Sequence, residues 1–191
     1  MYQELLEDAS LPSILLKIDQ DLAAQARSGG CRACGATVHS ATFPRKVRGG
    51  PWKLGEEHDR RLSFCCSREG CRRRLTPPSV RFVDRHIYLS IVVVLAGLLL
   101  QGPTPQRITH LSSKLGVSRR TLVRWHKWWQ ERLPRTRTWR LLRGRLPELE
   151  PDEALPAAVI DRLRHDTLSA RVIALMRWLA PLCASVAINE G

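Results

Sequence analysis

The most regular hydrophobic pattern lies in two consecutive segments of the second half of the chain. Each segment carries apolar residues at positions i, i+3 and i+7, which fall on one face of an α-helix. These residues are Ile108, Leu111 and Leu115 in the first segment and Leu122, Trp125 and Trp129 in the second. Thr104 and Ser118 are suited to cap the two helices, because a hydroxyl can accept a hydrogen bond from the first backbone N–H groups. The pattern predicts a helix after Thr104, a turn at Gly116 and a second helix from Arg119 to about Arg132.

A nearly continuous apolar run, residues 87–100, precedes this pair of helices. It predicts a helix from Arg85 to about Leu100, capped by Asp84. Because this helix is apolar on nearly all sides, we expect it at the buried centre of the protein. The run has 14 residues, which is short of the ~20 needed to cross a bilayer.

Weaker helical patterns occupy both ends of the chain. Residues 3–27 predict helical turns with acidic outer positions, and residues 157–165 and 167–188 predict two further helices, the second kinked by Pro181. These end segments are expected to cover the central helix or to form a homodimer interface, and the two roles are compatible. The acidic start of the chain lacks the positive charge of a signal peptide.

Alternating apolar positions predict a small β structure between the N-terminal and central helices. Leu62, Phe64 and Cys66 alternate with polar neighbours, as on a strand with one buried face. Residues 36–38 are strand-like, residues 49–51 form a Gly-Gly-Pro turn, and residues 79–83 predict a closing strand after Thr76-Pro77-Pro78.

Five of the six cysteines fall in this β region and suggest a metal site. Cys31 and Cys34 form a C-x-x-C knuckle followed by Gly35, and Cys66 and Cys71 form a C-x₄-C pair. Four thiolates suit one structural Zn²⁺ in a closed tetrahedral site. Three other residues could replace a ligand or lie nearby, namely Cys65, His39 and His58. Cys183 is distant in sequence and is expected to pack as a small apolar residue.

The charge of the chain is concentrated in two blocks. The whole chain has a net charge of +13, whereas residues 27–81 carry +9 and residues 107–145 carry +11, with an acidic remainder. Localised positive charge is typical of proteins that bind nucleic acids, because Lys and Arg neutralise phosphates and release counterions. An anionic membrane surface is the weaker alternative. We therefore expect double-stranded DNA as a partner and no membrane.

Candidate DNA contacts lie in both blocks. The side chains of the second predicted helix that point away from its apolar face are basic, and Arg can bind guanine edges in the major groove. The candidates are Arg45, Lys46, Arg48, Arg72, Arg73 and Arg74 in the first block, and Ser118, Arg119, Arg120, Thr121, Arg124 and Lys127 in the second. Trp128 and Trp139 could stack on bases, but packing is the expected role. The arginines from Arg132 to Arg145 suggest a basic arm along the phosphate backbone.

The pattern Leu111, Ser112, Leu115, Gly116, Val117, Leu122 and Trp125 resembles the helix-turn-helix family, which implies that the helix from Arg119 is the recognition helix. The order of paired cysteines, Thr-Pro-Pro-Ser segment, apolar helix and Leu-Gly-Val-Ser-Arg-Arg-Thr resembles the N-terminal region of zinc-ribbon insertion-sequence transposases over about residues 31–130. The chain departs from those transposases after Arg145, where no RNase H-like segment with an acidic triad follows. The resemblance thus implies a DNA-recognition component without a catalytic site.

The predicted fold is mainly α with a small β zinc ribbon and a helix-turn-helix domain flanked by N- and C-terminal helices. The predicted organisation is an N-terminal helical segment (1–28), the ribbon (29–83), the helix-turn-helix (84–133), a basic arm and linker (134–151) and C-terminal helices (152–191).

The predicted function is sequence-specific duplex DNA binding in a bacterial mobile genetic element, beside a separate recombinase or transposase. We expect a cytoplasmic, nucleoid-associated protein that is not an enzyme. Two alternatives remain open: an RNA-binding or bridging module of a larger nucleoprotein complex, and a nuclease or recombinase using His86, His110 or His126 with a carboxylate.

Overall fold

The computed structural model describes residues 4–45, 47–82, 89–100, 103–144 and 153–183, and this part of the chain is mainly helical with small antiparallel sheets. The α-helices are α1 (Glu4–Glu7), α2 (Leu11–Ser28), α3 (Ser90–Leu99), α4 (Pro105–Leu115), α5 (Arg119–Lys127), α6 (Arg137–Arg143), α7 (Ala157–Arg162) and α8 (Leu168–Leu179). The strands are β1 (Val38–Ser40), β2 (Phe43–Pro44), β3 (Arg60–Arg61), β4 (Phe64–Cys66) and β5 (Arg74–Leu75). The predicted mainly helical class with a small β region is therefore confirmed.

Helix α3 is the buried centre of the protein, as its composition predicts. Its residues from Ser90 to Leu98 are all buried, and it contacts α4, α5 and α8. The predicted start was wrong, because Leu89 is extended and the helix begins at Ser90. The Leu89 N–H donates to the Arg48 carbonyl at 3.2 Å, and the Ser90 N–H donates to the Arg81 carbonyl at 2.7 Å. Asp84, the predicted cap, lies outside the described residues.

Helix α4 begins and ends where the sequence predicts. Helix α5 begins at Arg119 as predicted, but its regular α-helix ends at Lys127 and not near Arg132. The Thr104 hydroxyl accepts a hydrogen bond from the Arg107 N–H, and the Ser118 hydroxyl accepts one from the Thr121 N–H. Gly116 adopts φ = +61° between the helices, a left-handed conformation that glycine reaches without steric cost.

Helix α5 continues into a π-helical segment, Trp128–Arg132, and a 3₁₀ turn, Leu133–Arg135. Trp128 and Trp129 are adjacent in sequence and both are buried. A regular α-helix rotates neighbouring side chains about 100° apart, so the wider turn helps both indoles to face the core. Their rings meet edge to face with centroids 4.9 Å apart, which confirms packing as the role of Trp128.

The strands form a three-stranded sheet in the order β1-β4-β5 and a two-stranded sheet of β2 and β3. In the first sheet Val38 pairs with Cys66, and Phe64 pairs with Leu75. The predicted closing strand 79–83 was wrong for its described part, because residues 79–82 form only a single bridge, from Phe82 to Leu89, and residue 83 lies outside the described residues. The Val80 N–H, which precedes this bridge, donates to the side chain of Asp19 at Oδ1, at 2.7 Å, and not to a neighbouring strand.

The C-terminal helices belong to the core of one molecule, because α8 packs on α3 and both α7 and α8 contribute residues to the apolar core. Helix α8 contacts α3 and α7, and it ends before Pro181, where a 3₁₀ turn, Ala180–Cys183, follows. Both predicted C-terminal helices end earlier than expected within the described residues. The predicted basic arm is in part a helix, α6, with Trp139 and Leu142 buried. Residues 145–152 and 184–191, and the side chain of Cys183, lie outside the described part of the chain.

The buried apolar residues form two separate clusters. The larger cluster contains residues of all eight helices, packed around α3. The smaller one contains Ala23, Cys31, Val38, Phe64, Cys66 and Leu75. The β region around the cysteines therefore has a very small apolar core of its own.

Candidate metal centre and nucleic-acid interface

Four cysteine sulfurs come together near the end of β4, the central strand of the three-stranded sheet. The Sγ atoms of Cys31, Cys34, Cys66 and Cys71 all lie within 4.8 Å of one another. Cys31 Sγ is 3.8 Å from Cys71 Sγ, and Cys34 Sγ is 3.4 Å from Cys66 Sγ. These distances are far longer than the ~2.05 Å of a disulfide, so the four residues are free thiols. These four cysteines, called the sulfur group below, are the set predicted from the sequence spacing.

A tight turn presents the first pair of sulfurs. The Gly35 N–H donates to the Cys31 carbonyl at 2.8 Å, and the Cys31 N–H donates to the Ala36 carbonyl at 2.8 Å. Gly35 has φ = +71°, which reverses the chain directly after Cys34. The turn therefore directs the thiols of Cys31 and Cys34 to the same side.

The second pair stands at the end of β4 and in the loop after it. The Arg68 N–H donates to Cys66 Sγ at 3.4 Å, and the Cys71 N–H donates to the Arg68 carbonyl at 3.2 Å. Gly70 has φ = +83° and allows the loop to return Cys71 toward Cys66. A backbone N–H directed at a sulfur stabilises a thiolate there.

Strand alternation decides between Cys65 and Cys66. Cys66 is fully buried and belongs to the sulfur group, whereas Cys65 points to the other face and its Sγ donates to the Arg72 carbonyl at 3.4 Å. His39 is exposed and His58 is buried elsewhere, and neither joins the group. The alternation of Leu62, Phe64 and Cys66 in the sequence was the correct signal.

The dimensions of the sulfur group fit a tetrahedral metal ion. With metal–sulfur bonds of about 2.3 Å, the edges of a four-thiolate tetrahedron are about 3.8 Å long. The Cys34–Cys66 and Cys31–Cys71 separations of 3.4 and 3.8 Å are close to this edge, and every other pair of these sulfurs lies within 4.8 Å. Within the described ranges this is the one cluster of three or more Cys, His, Asp or Glu side chains that could hold a metal ion.

The thiols of this group differ in acidity. The Ala33 backbone N–H donates a hydrogen bond to Cys31 and lowers the pKa of its thiol to about 6. Burial raises the pKa of the Cys66 thiol to about 12, because a buried thiolate without a counter-charge is poorly solvated. A bound cation would remove this difference by stabilising all four thiolates.

The loop between the two cysteine pairs connects the sulfur group to the helices. Within this connecting loop, residues 47–54, the Gly50 N–H donates to the Leu115 carbonyl at 2.9 Å, at the turn between α4 and α5. The Trp52 indole donates to the Asp8 carbonyl at 3.0 Å, and Val47, Trp52 and Leu54 pack against the larger core. This role of the Gly-Gly-Pro turn was not predicted from the sequence.

The candidate DNA contacts of the β region differ in their exposure to solvent. Arg72, Arg73 and Arg74 are all exposed, and the Arg74 guanidinium lies 5.4 Å from the centre of the Phe43 ring. Arg48 is exposed near the connection to α4 and α5, while Arg45 is half-buried with its guanidinium 4.8 Å from the Phe82 ring centre. Lys46 lies outside the described residues.

Two arginines of the first basic block are buried and serve the fold. Arg81 Nε lies 2.8 Å from Asp19 Oδ2, and both side chains are 1% exposed. The Arg81 guanidinium also donates to the carbonyls of His58 and Arg60, and buried Arg61 donates to the Pro77 carbonyl. The sequence contains no signal that separates these arginines from the exposed ones.

Helix α5 carries an exposed basic face. Arg119, Arg120, Arg124 and Lys127 are exposed, and none forms an ion pair within the part of the chain that the structure describes. Leu122 and Trp125 on the opposite face are fully buried. We call this set of four cations the α5 basic face.

The two hydroxyl residues at the start of α5 serve as its cap. The Ser118 hydroxyl accepts from the Thr121 N–H and lies 3.0 Å from the Thr121 hydroxyl. Thr121 is buried, so of these two predicted contacts only Ser118 is exposed.

The three histidines named for the nuclease or recombinase alternative differ in their placement. His110 is exposed, His126 is half-buried and His86 lies outside the described residues.

No protein-family model, no characterised protein and no solved structure matches this chain. The described helices include none that is both long enough and apolar enough to traverse a bilayer. Function is therefore inferred from the chemistry of the sulfur group and of the basic surfaces.

Proposed function

We propose that this protein binds duplex DNA in a sequence-specific manner, as the recognition component of a mobile genetic element. The observation that carries the proposal is the α5 basic face, four exposed cations that form no ion pair with any described residue and lie opposite a buried apolar stripe. In this proposal α4, the Gly116 turn and α5 act as a helix-turn-helix, and α5 enters the major groove.

Each part of the α5 basic face has a chemical role in this proposal. The guanidinium groups of Arg120 and Arg124 can bind guanine O6 and N7 in pairs of hydrogen bonds. Arg119 and Lys127 lie at the two ends of the same face and contact phosphates. Such phosphate contacts fix the position of the protein on the duplex but do not read its sequence. The exposed Arg72, Arg73 and Arg74 extend the phosphate contacts beyond α5.

The sulfur group is proposed to hold one structural Zn²⁺, in an arrangement of the zinc-ribbon type. Zn²⁺ would supply the two positive charges that stabilise four thiolates in a region with little apolar core. The connecting loop then holds this region against the turn between α4 and α5, through Gly50 and Leu115.

Selection from a random duplex library, followed by titration over a salt series, tests the proposal. We expect one enriched sequence and an affinity that falls steeply with salt. Arg120→Ala should weaken binding to the enriched sequence by about 1–3 kcal/mol and leave the fold intact. Lys17→Ala, which removes an exposed cation from α2, is the matched control and should bind normally.

Equal affinity for enriched and random duplexes would contradict the specificity, and an affinity independent of salt would contradict phosphate contacts. Tight binding to single-stranded RNA with none to duplex DNA would favour the RNA-binding alternative. Magnesium-dependent nicking would favour the nuclease alternative. The link to a mobile element is tested with its terminal inverted repeats, which should contain the enriched sequence and bind more tightly than random duplex.

A further inference from the structure

One exposed apolar side chain, that of Val123, lies among the four cations of the α5 basic face. Val123 is 39% exposed, although the other aliphatic residue of α5, Leu122, is fully buried. On the helix Val123 stands one turn from Arg119 and one turn from Lys127, and Arg120 and Arg124 flank it. A methyl-bearing side chain therefore lies within a surface that otherwise presents cations.

Val123 also borders a shallow recess between the starts of α4 and α5. The recess has a volume of about 390 Å³ and is lined by Pro105, Ile108, Arg119, Arg120 and Val123. Its floor is apolar, and its two charged lining residues are both arginines. Such a recess accepts a small apolar group that belongs to a polyanion.

Duplex DNA offers one small apolar group in the major groove, the 5-methyl group of thymine. The other features of the base edges there are hydrogen-bond donors and acceptors, which a valine cannot satisfy. The surrounding cations match the phosphates on both sides of the groove. The positive charge around the recess and its apolar floor therefore both fit the 5-methyl group of a thymine.

We propose that Val123 is a specificity-determining residue that contacts the 5-methyl group of a thymine in the bound duplex. This inference rests on the proposed function and adds to it the identity of one base. The bound sequence then combines guanines read by arginine with at least one thymine read through its methyl group.

Replacing each thymine of the enriched duplex by deoxyuridine, one at a time, tests this contact because only the methyl group is lost. We expect one position at which wild-type affinity falls about fourfold, as for one methyl group returned to water. Val123→Ala should bind the thymine duplex about fourfold more weakly than the wild type and no longer distinguish the two bases at that position. Alanine is a good helix former, so the variant keeps α5.

Ile14→Ala is the matched control, because Ile14 is an exposed aliphatic residue on α2. It should keep both the affinity and the distinction between thymine and deoxyuridine. An enriched duplex whose thymines can all be replaced without loss would overturn this inference alone. A distinction that persists in Val123→Ala would also overturn it. If no duplex is enriched by the wild-type protein, the proposed function fails, and the inference fails with it.

Discussion

Residues 27–81 and residues 107–145 carry similar net charges, +9 and +11, but they use their arginines differently. In the first region Arg61 and Arg81 are buried, and Arg45 and Arg74 lie over aromatic rings. In the second region the four cations of the α5 basic face are exposed and have no ion-pair partner among the described residues. Net charge along a sequence therefore does not locate a binding surface, because a buried guanidinium contributes to folding instead.

The two regions also differ in what holds them together. The β region has a small apolar cluster and four clustered thiols, whereas the helices share one large core around α3. A small core contributes too little burial to offset the entropy of ordering the chain. We therefore expect the β region to depend on the metal ion proposed for its four cysteines and the helices to depend on packing.

The largest expected effect is that of removing a sulfur ligand. Cys66→Ser should lose the metal and unfold the β region, because a structural zinc contributes on the order of 10 kcal/mol to folding. Native mass spectrometry measures the metal content, and limited proteolysis reports where the chain opens. Cys65→Ser is the control and should retain one metal ion. A Cys66→Ser protein that still holds its metal would contradict the ligand set.

The next effect concerns the buried ion pair between α2 and the chain before α3. Asp19→Ala should destabilise the protein by about 3–5 kcal/mol, because it leaves the buried Arg81 guanidinium without a carboxylate. Asp21→Ala, on the same helix, removes an exposed partner of Lys17 at 3.0 Å and should cost about 0.5 kcal/mol. Urea unfolding measures both. Equal losses of stability in the two variants would show that the Asp19–Arg81 pair stabilises the protein no more than a surface ion pair does.

A smaller effect is expected from adding one methyl group to α3. A Cβ at Gly97 would lie 2.6 Å from Trp129 Nε1 and 2.7 Å from Pro156 Cδ. Gly97→Ala should therefore cost about 1–3 kcal/mol through overpacking, despite the higher helix propensity of alanine. At Gly144 the nearest atom, the Leu141 carbonyl oxygen, is 3.8 Å away. Thermal unfolding should thus show no loss for Gly144→Ala.

The smallest effect is a pH dependence from His58. Burial lowers the pKa of His58 below its ordinary value of 6.5, with a further contribution from Arg81, and its Nδ1 has no hydrogen-bond partner in the described structure. The unfolded chain therefore binds a proton first as pH falls below about 6.5, and stability decreases with it. His58→Gln should lose less stability between pH 7.5 and pH 5.5 than the wild type. His39→Gln, at an exposed position, should keep the wild-type slope, and equal slopes for all three proteins would exclude His58 as the source.

Much of the local structure could be predicted because it depends on neighbouring residues. The Thr104 and Ser118 caps, the Gly116 turn and the buried stripes of α4 and α5 each follow from short-range spacing. The choice of Cys66 over Cys65 followed from strand alternation. The predicted start of α3 was wrong because the N–H groups of Leu89 and Ser90 donate to the carbonyls of Arg48 and Arg81. Arg48 is distant in sequence, and Arg81 lies outside the helical pattern.

The helix caps, the apolar stripes and the four cysteines follow from the order of residues along the chain, because hydrogen bonds within a turn and side-chain periodicity are local properties. In contrast, the pairing of Arg81 with Asp19, the hydrogen bond from Gly50 to Leu115 and the exposure of Val123 among arginines arise from folding. Each of these depends on which distant segment packs beside a residue. A side chain in solvent and one in a core can have the same sequence neighbours, and only folding separates them.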